Sequence, residues 1–400
     1  MLKKLHNIVE KLRPHFEEGG KLSAFHSLFD GFETFLFTPN TTAKRIGSQI
    51  HDGSDSKRTM ILVVMALVPA LLFGMFNVGY QHFLATGELV KGAMTCAMFW
   101  KAFAFGALAV LPYIIVSYGV GLGIEFTVAQ WKNEEIHEGF LVSGILIPMI
   151  VPVGCPLWIL ALATAFAVIF AKEVFGGTGM NIVNVALIAR AFIFFAYPSV
   201  ISGDSVWVAT DSIFGLGYDA VDGYTCATAL QYVANGVAPL GAAGAELGVC
   251  DMLFGLMPGS IGETSVVAIA IGAVILLWTG VASWKTMLSV FVGGVVMLFV
   301  FGDKLPADIP FWHHLLLGGF CFGAVFMATD PVTSARTECG KYIYGFGIGA
   351  MTILIRVLNP GYPEGMMLAI LLMNVTAPFI DYCVVQANVN ARARRLTNKN

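Results

Sequence analysis

The sequence predicts an all-α polytopic membrane protein of about ten transmembrane helices, in two inverted five-helix repeats with some helices broken. Three observations predict it. The chain has 400 residues, 57% hydrophobic and only 12% charged, whereas soluble domains carry roughly 25% charged residues. Its mean hydropathy is +0.76. Apolar runs recur from Met60 onward, and several contain Gly or Pro, which suits discontinuous helices buried in a bundle.

Residues 1–58 form a polar arm of mixed charge, with Leu5, Ile8, Val9, Leu12 and Phe16 at helical spacing. The arm is expected in the cytoplasm, as a docking surface for partner subunits or a solvated tail. No apolar run precedes Met60, so no cleavable signal peptide is expected. Spans are predicted at 60–80, 100–123, 140–152, 157–172 and 181–197, making a first repeat over 59–198. A loop at 199–264 follows. Spans at 265–281, 286–301, 314–329, 345–358 and 366–382 make a second repeat over 265–384. Residues 385–400 are a basic tail holding Arg392, Arg394, Arg395 and Lys399.

Ser199–Glu263 has no Lys or Arg but carries Asp204, Asp211, Asp219, Asp222, Glu246, Asp251 and Glu263. Bases are retained on the cytoplasmic side, so this loop is predicted outside and both basic termini inside. The span count gives the same orientation. The inverted repeat rests on Gly139–Gly144 before Pro152 and Gly318–Gly323 before Pro331. Lys172–Gly176 and Lys341–Gly345 echo each other as well, and an intramembrane arginine follows each, Arg190 and Arg356.

Buried charge is costly, about 2.5–3.5 kcal/mol at mid-helix, so Arg190 and Arg356 call for partners, a polar cavity or an interface. Asp330 and Asp381 are predicted at cytoplasmic helix ends, where the helix dipole disfavours a carboxylate and a bound cation reverses that cost. A carboxylate beside free carbonyls is a hard oxygen site suited to sodium; a solvated acid is the plainer alternative. Pro331 stops regular helix after Asp330. Gly176-Gly177-Thr178-Gly179 is a turn without the preceding strand of a dinucleotide fingerprint, so NADH is expected on another subunit. Backbone amides of that turn, followed by Asn181 and Asn184, can approach a flavin ring or a quinone; a tight interhelical turn needs no ligand. Seven scattered cysteines without a Cys-x-x-Cys pair argue against metal or cluster ligation. Cys226 and Cys250 share the exported loop, and whether they pair stays open. Membrane lipid is an expected partner and nucleic acid is not.

Asp222-Gly-Tyr-Thr225-Cys-Ala227-Thr228 resembles a site where flavin mononucleotide (FMN) is joined through its phosphate to threonine. Glu138–Val142, Lys172–Gly179, Arg190-Ala-Phe192, Phe195–Pro198, Ser202–Asp204 and Thr329–Thr333 extend the likeness over most of the chain. Together these runs resemble the subunit designated B of the bacterial sodium-translocating NADH:quinone oxidoreductase. The sister family, the subunit designated D of the ferredoxin:NAD Rnf complex, shares the core and motif but lacks the long arm at 1–58. Cys226 stands where the family commonly has Gly or Ser.

The resemblance implies a covalent FMN on Thr228, with Asp222, Thr225 and Ala227 in the attachment motif read by a flavin transferase. It implies a non-covalent riboflavin and a ubiquinone or menaquinone site; the turn reading above offers Gly177, Thr178, Asn181 and Asn184 as cofactor residues. Small residues at Gly139 and Gly144 beside Phe140 leave a groove for the quinone ring. Glu138, mainly by resemblance, joins Asp330 and Asp381 as a sodium ligand. The implied function is a redox-driven sodium pump in the bacterial inner membrane. A second flavoprotein subunit would feed electrons to Thr228, an NADH-oxidising subunit would lie elsewhere, and quinone reduction would drive sodium export. A flavin-free solute channel or transporter on the same core is the rival reading.

Overall fold

The computed structural model describes residues 14, 29, 56–132, 139–201, 206–217, 227–241, 246–302, 310, 312–359, 361 and 363–397. Glu138, Asp222, Thr225, Cys226 and nearly all of the 1–58 arm lie outside the described residues. The described part is helical, with only two isolated bridges, Ile213 to Leu216 and Leu240 to Glu246.

Helices α1 (Ser56–Ala85) and α2 (Cys96–Lys132) are long. The short α3 (Phe140–Met149) follows. Next, α4 (Leu157–Ala167) continues through a π-turn at Val168–Lys172 and a 3-10 turn at Glu173–Phe175. Helix α5 (Val185–Ala196) begins at Asn184, whose side chain accepts bonds from the amides of Ala186 and Leu187. Such a cap satisfies amides that the first helical turn leaves open. Short helices α6 (Pro198–Ile201), α7 (Ala229–Ala234) and α8 (Val249–Phe254) interrupt the loop region.

The second half opens with α9 (Val266–Trp278) and α10 (Trp284–Val300). Then come α11 (His313–Leu316) and α12 (Phe320–Phe322), the latter continued by a π-turn at Gly323–Met327. Helices α13 (Glu338–Leu358) and α14 (Met366–Thr397) complete the chain. Helical segments therefore fall in every stretch where apolar runs predicted a span. Five stretches are long and apolar enough to cross a membrane: Thr59–Ala85, Cys96–Lys132, Leu157–Phe175, Glu338–Leu358 and Met366–Arg395. Helices α3, α5, α9 and α10 are apolar but shorter. The chain is a multi-pass membrane protein.

Packing follows small residues. A side chain at Gly293, Gly345 or Gly349 would strike the opposing backbone where α10 meets α13, and Gly79 and Gly106 do the same between α1 and α2. Helix association in lipid depends on this close approach, because burial of apolar surface gives little drive there. Outward-facing Trp278, Phe299 and Ile115 remain exposed, as lipid-facing side chains do.

Asp381 departs from its expected place. The apolar run put it at a helix end, but α14 runs on to Thr397, so Asp381 lies inside the helix. The polar stretch after Asp381 keeps helical propensity, and Arg394 and Arg395 in the last turn suit the negative end of the dipole. The dipole argument for a cation at Asp381 therefore loses its basis. Its carboxylate instead accepts bonds from the amides of Arg336 (2.8 Å) and Thr337 (3.0 Å) and from the Thr337 hydroxyl (2.6 Å). It ties α14 to the start of α13.

Candidate functional site

Two cavities lie at opposite ends of the bundle. The larger, about 390 Å³, is walled by Thr228 and Gln231 of α7, Arg190 of α5, Glu263 before α9 and Glu364 before α14. The smaller, about 90 Å³, is walled by Gly139 at the start of α3, Lys172, Thr178, Asn184 and Asp330, together with Leu276 at the end of α9. The two are separated by most of α9, about 16 Å along its axis at 1.5 Å per residue.

Thr228 is set by local structure. It caps α7, its hydroxyl accepting the Gln231 amide at 3.3 Å. The apolar face of α7, from Ala229, Leu230 and Val233, packs with Leu247, Met252 and Leu317 in a small separate core. Ala227 is buried beside it. The hydroxyl is thus fixed at the wall of the large cavity by a helix too short to stand without that packing.

Arg190 lines this cavity, and Arg356 is bonded to the backbone of Glu364, which lines it too. Arg190 is 2% exposed. Its Nη1 donates to Glu263 at 2.6 Å and its Nη2 donates to the Glu364 carboxylate. Burial pushes the Glu263 carboxyl above the usual range, and Arg190 beside it opposes that rise. Arg356 is also buried. It donates to the carbonyls of Glu364 (3.1 Å), Leu317 (3.2 Å) and His314. Residue 364 is therefore held by one arginine through its side chain and by the other through its backbone.

The small cavity gathers residues far apart in sequence. The Asn184 amide donates to Asp330 at 3.2 Å, the Thr333 hydroxyl donates to it at 3.1 Å, and the Val332 amide at 3.1 Å. Burial raises the Asp330 carboxyl and these bonds pull it back. The Thr178 hydroxyl is buried without a hydrogen-bond partner among the described residues. Gly179 and Asn181 also line this wall. Gly177 has φ +93°, so the turn that carries Thr178 needs glycine there.

The space left by glycines around α3 is filled by protein. A side chain at Gly139 would meet Thr178, and one at Gly144 would meet the Tyr118 ring at 2.6 Å. Phe140 is fully buried against Gly121. Of Gly139, Phe140 and Gly144, only Gly139 borders the cavity. Lys172 pairs with Glu125 of α2, and both side chains are 5% exposed. Sequence reading passed over that pair. The available signal was two ionisable residues at the edges of otherwise apolar runs.

A family model described as the NQR2, RnfD, RnfE family matches residues 44–390. The chain belongs to this family. Relatives agree over their full length. It is 44% identical to the Na(+)-translocating NADH-quinone reductase subunit designated B of Chromohalobacter salexigens, covering 98% of this chain and 96% of the relative. It is 42% identical to the subunit of that name from Azotobacter vinelandii, covering 97% and 98%. The Neisseria meningitidis serogroup B counterpart is also 42% identical, covering 98% and 99%. As an NQR2, RnfD, RnfE family member, the chain carries buried polar groups at both ends of one apolar bundle. A redox-linked ion pump needs such groups, because charge cannot cross hydrocarbon unaided.

Proposed function

We propose that this chain is the membrane subunit of a sodium-translocating NADH-quinone reductase, bearing a covalent FMN on Thr228 and reducing quinone at the small cavity. The observation that carries the reading is convergence. Gly139, Thr178, Asn181, Asn184 and Asp330 border one cavity, and Thr228 borders the other. Cavities of roughly 300–1,000 Å³ hold ligands of drug size, so the larger one fits a flavin ring. A flavin, when bound, supplies electron transfer in one- or two-electron steps. Thr228 would hold it by the phosphoester, while Arg190, Ser260 and Gln231 offer polar contacts around it. The smaller cavity, about 90 Å³, lies below that range and would have to widen to admit a flat ring; its unpartnered Thr178 hydroxyl, with Asn181 and Asn184, would then hold a riboflavin or the quinone. Asp330 would hold sodium.

Ten helices in two inverted halves place these ends on opposite sides of the membrane in this reading. The base-free loop is at the Thr228 end, which also holds Lys91 and Lys101, whereas Lys132, Lys285, Arg336, Lys341 and Arg394 lie at the other; the excess of bases there supports an outward-facing Thr228. The setting is the bacterial inner membrane. Partners are a second flavoprotein subunit outside, an NADH-oxidising subunit and a flavin transferase. Orientation has a direct check. In a background without native cysteines, Val237→Cys should react with an impermeant thiol reagent in intact cells. Asn388→Cys should react only after permeabilisation. The reverse pattern would invert the assignment.

Sodium binding is tested by Asp330→Asn. The expected result is a half-stimulating sodium concentration raised about tenfold, equivalent to about 1.4 kcal/mol of ion binding. Asp251→Asn, whose native carboxylate pairs with Lys91 at 2.8 Å near the other cavity, should leave sodium dependence unchanged. Overlaid curves for Asp330→Asn and wild type would remove Asp330 from the ion site. Gly139→Val tests the quinone site. The added side chain must displace Thr178, so quinone reduction should fall while NADH still delivers electrons to the complex. Unaltered quinone kinetics would place the ring elsewhere.

A further inference from the structure

We infer that Lys172 is the proton donor for quinone reduction, resupplied from the cytoplasm through Glu125 and Glu173. The inference rests on the reading of the small cavity as the quinone site. It begins from a chemical requirement: reducing a quinone to its quinol takes two electrons and two protons, and a buried site must import those protons.

The structure holds a graded series of ionisable groups leading to that cavity. Lys132, at the end of α2, has a side chain 34% exposed and lies 3.5 Å from Glu173. The Glu173 side chain is 13% exposed. Glu173 is next in the chain to Lys172 and within electrostatic range of Glu125. Glu125 and Lys172 are 5% exposed and directly paired. Lys172 then lines the cavity, as does Asp330. Among the described residues, Lys172 is the cavity's single cationic wall residue. From α3 its neighbour is the Phe140 ring, 5.9 Å from Nζ, which cannot titrate.

The pair is otherwise hard to justify. Desolvating two charges commonly costs as much as their attraction returns, and apolar replacements are often neutral or stabilising. A lysine ammonium can give up a proton to a bound acceptor, whereas an arginine cannot. The π-turn at Val168–Lys172 widens the end of α4 and presents Lys172 at the cavity, and π-turns recur at functional positions.

The step balances. As two electrons originating in NADH arrive, an N–H bond of the Lys172 ammonium breaks and an O–H bond forms on a quinone oxygen. Lys172 becomes the neutral amine. A cytoplasmic proton passes from Glu173 to Glu125 and restores the ammonium. A second passage supplies the other oxygen, and the quinol leaves.

The test uses the whole purified complex with NADH and a short-chain ubiquinone. Lys172→Arg keeps the ion pair with Glu125, and hence the fold, but arginine does not give up its proton. Quinone turnover should fall by about a hundredfold or more, the scale of a lost general acid, while NADH-driven reduction of the complex without quinone keeps its rate. Lys172→Ala should be slow too and should recover when ethylamine is added. Glu125→Gln should slow turnover and enlarge the solvent deuterium isotope effect. A photoreactive azidoquinone should label peptides containing Gly139 or Thr178. If the label maps there but Lys172→Arg turns over at the wild-type rate, the proton role is overturned and the quinone site stands. If the label maps elsewhere, both fall.

Discussion

A Thr228→Ala chain is expected to lose all ultraviolet fluorescence in a denaturing gel, while remaining in the membrane at near-normal amount. Only a covalent flavin survives denaturation, and the proposed phosphoester would be made through the Thr228 oxygen. The structure limits collateral damage. The substitution removes one capping bond, from the Gln231 amide, a loss of about 1 kcal/mol, felt by a six-residue helix. The separate core under α7 stays intact. Thr228→Ser keeps both the cap and a hydroxyl, so it should retain some label. A fluorescent band of ordinary strength in Thr228→Ala would remove the flavin from this residue.

Arg190→Met is the second large effect, and it concerns stability. The substitution leaves the buried Glu263 and the half-buried Glu364 without their shared cation. Breaking a buried pair by removing one partner costs about 3–5 kcal/mol. The expected outcome is a marked drop in the melting temperature of the detergent-solubilised complex, or loss of the subunit from the membrane. Adding Glu364→Gln to Arg190→Met should restore part of the loss, since one uncompensated charge is then gone. Arg190→Lys should be milder, because a cation remains, though it cannot span both carboxylates as a guanidinium does. Equal melting of Arg190→Met and wild type would mean that the triad contributes little.

The bundle was legible because lipid imposes a crude rule: long apolar runs must be helical. Each predicted span contains helix for that reason, although the one at 314–329 is interrupted at residues 317–319. Helix ends were less legible where hydropathy and helical propensity part company, as after Asp381, where polar residues continue α14. That Arg190 needs a partner was readable from cost alone. The identity of the partners was not, since Glu263 and Glu364 lie 73 and 174 residues away. The gathering of Gly139, Thr178, Asn184 and Asp330 at one wall was likewise a property of tertiary folding. The groove expected from small residues was misjudged at Gly144, since a missing side chain leaves room for a neighbour as readily as for a ligand, and Tyr118 takes it.

Residue 364 has a consequence for motion. Arg190 belongs to the first half of the chain and Arg356 to the second, and both hold the same short turn. Any swing of one half against the other at this end must first release the guanidinium from the carboxylates of Glu263 and Glu364. If that release costs about 3 kcal/mol, the parted arrangement is populated below roughly 1% at rest, by Boltzmann weighting. A substrate or ion that favours the parted form must therefore bind it more than about a hundredfold tighter to make it dominant. Weakening the latch with Glu364→Gln lowers that threshold, so the pump would idle open: electrons would still flow, and ions would leak back.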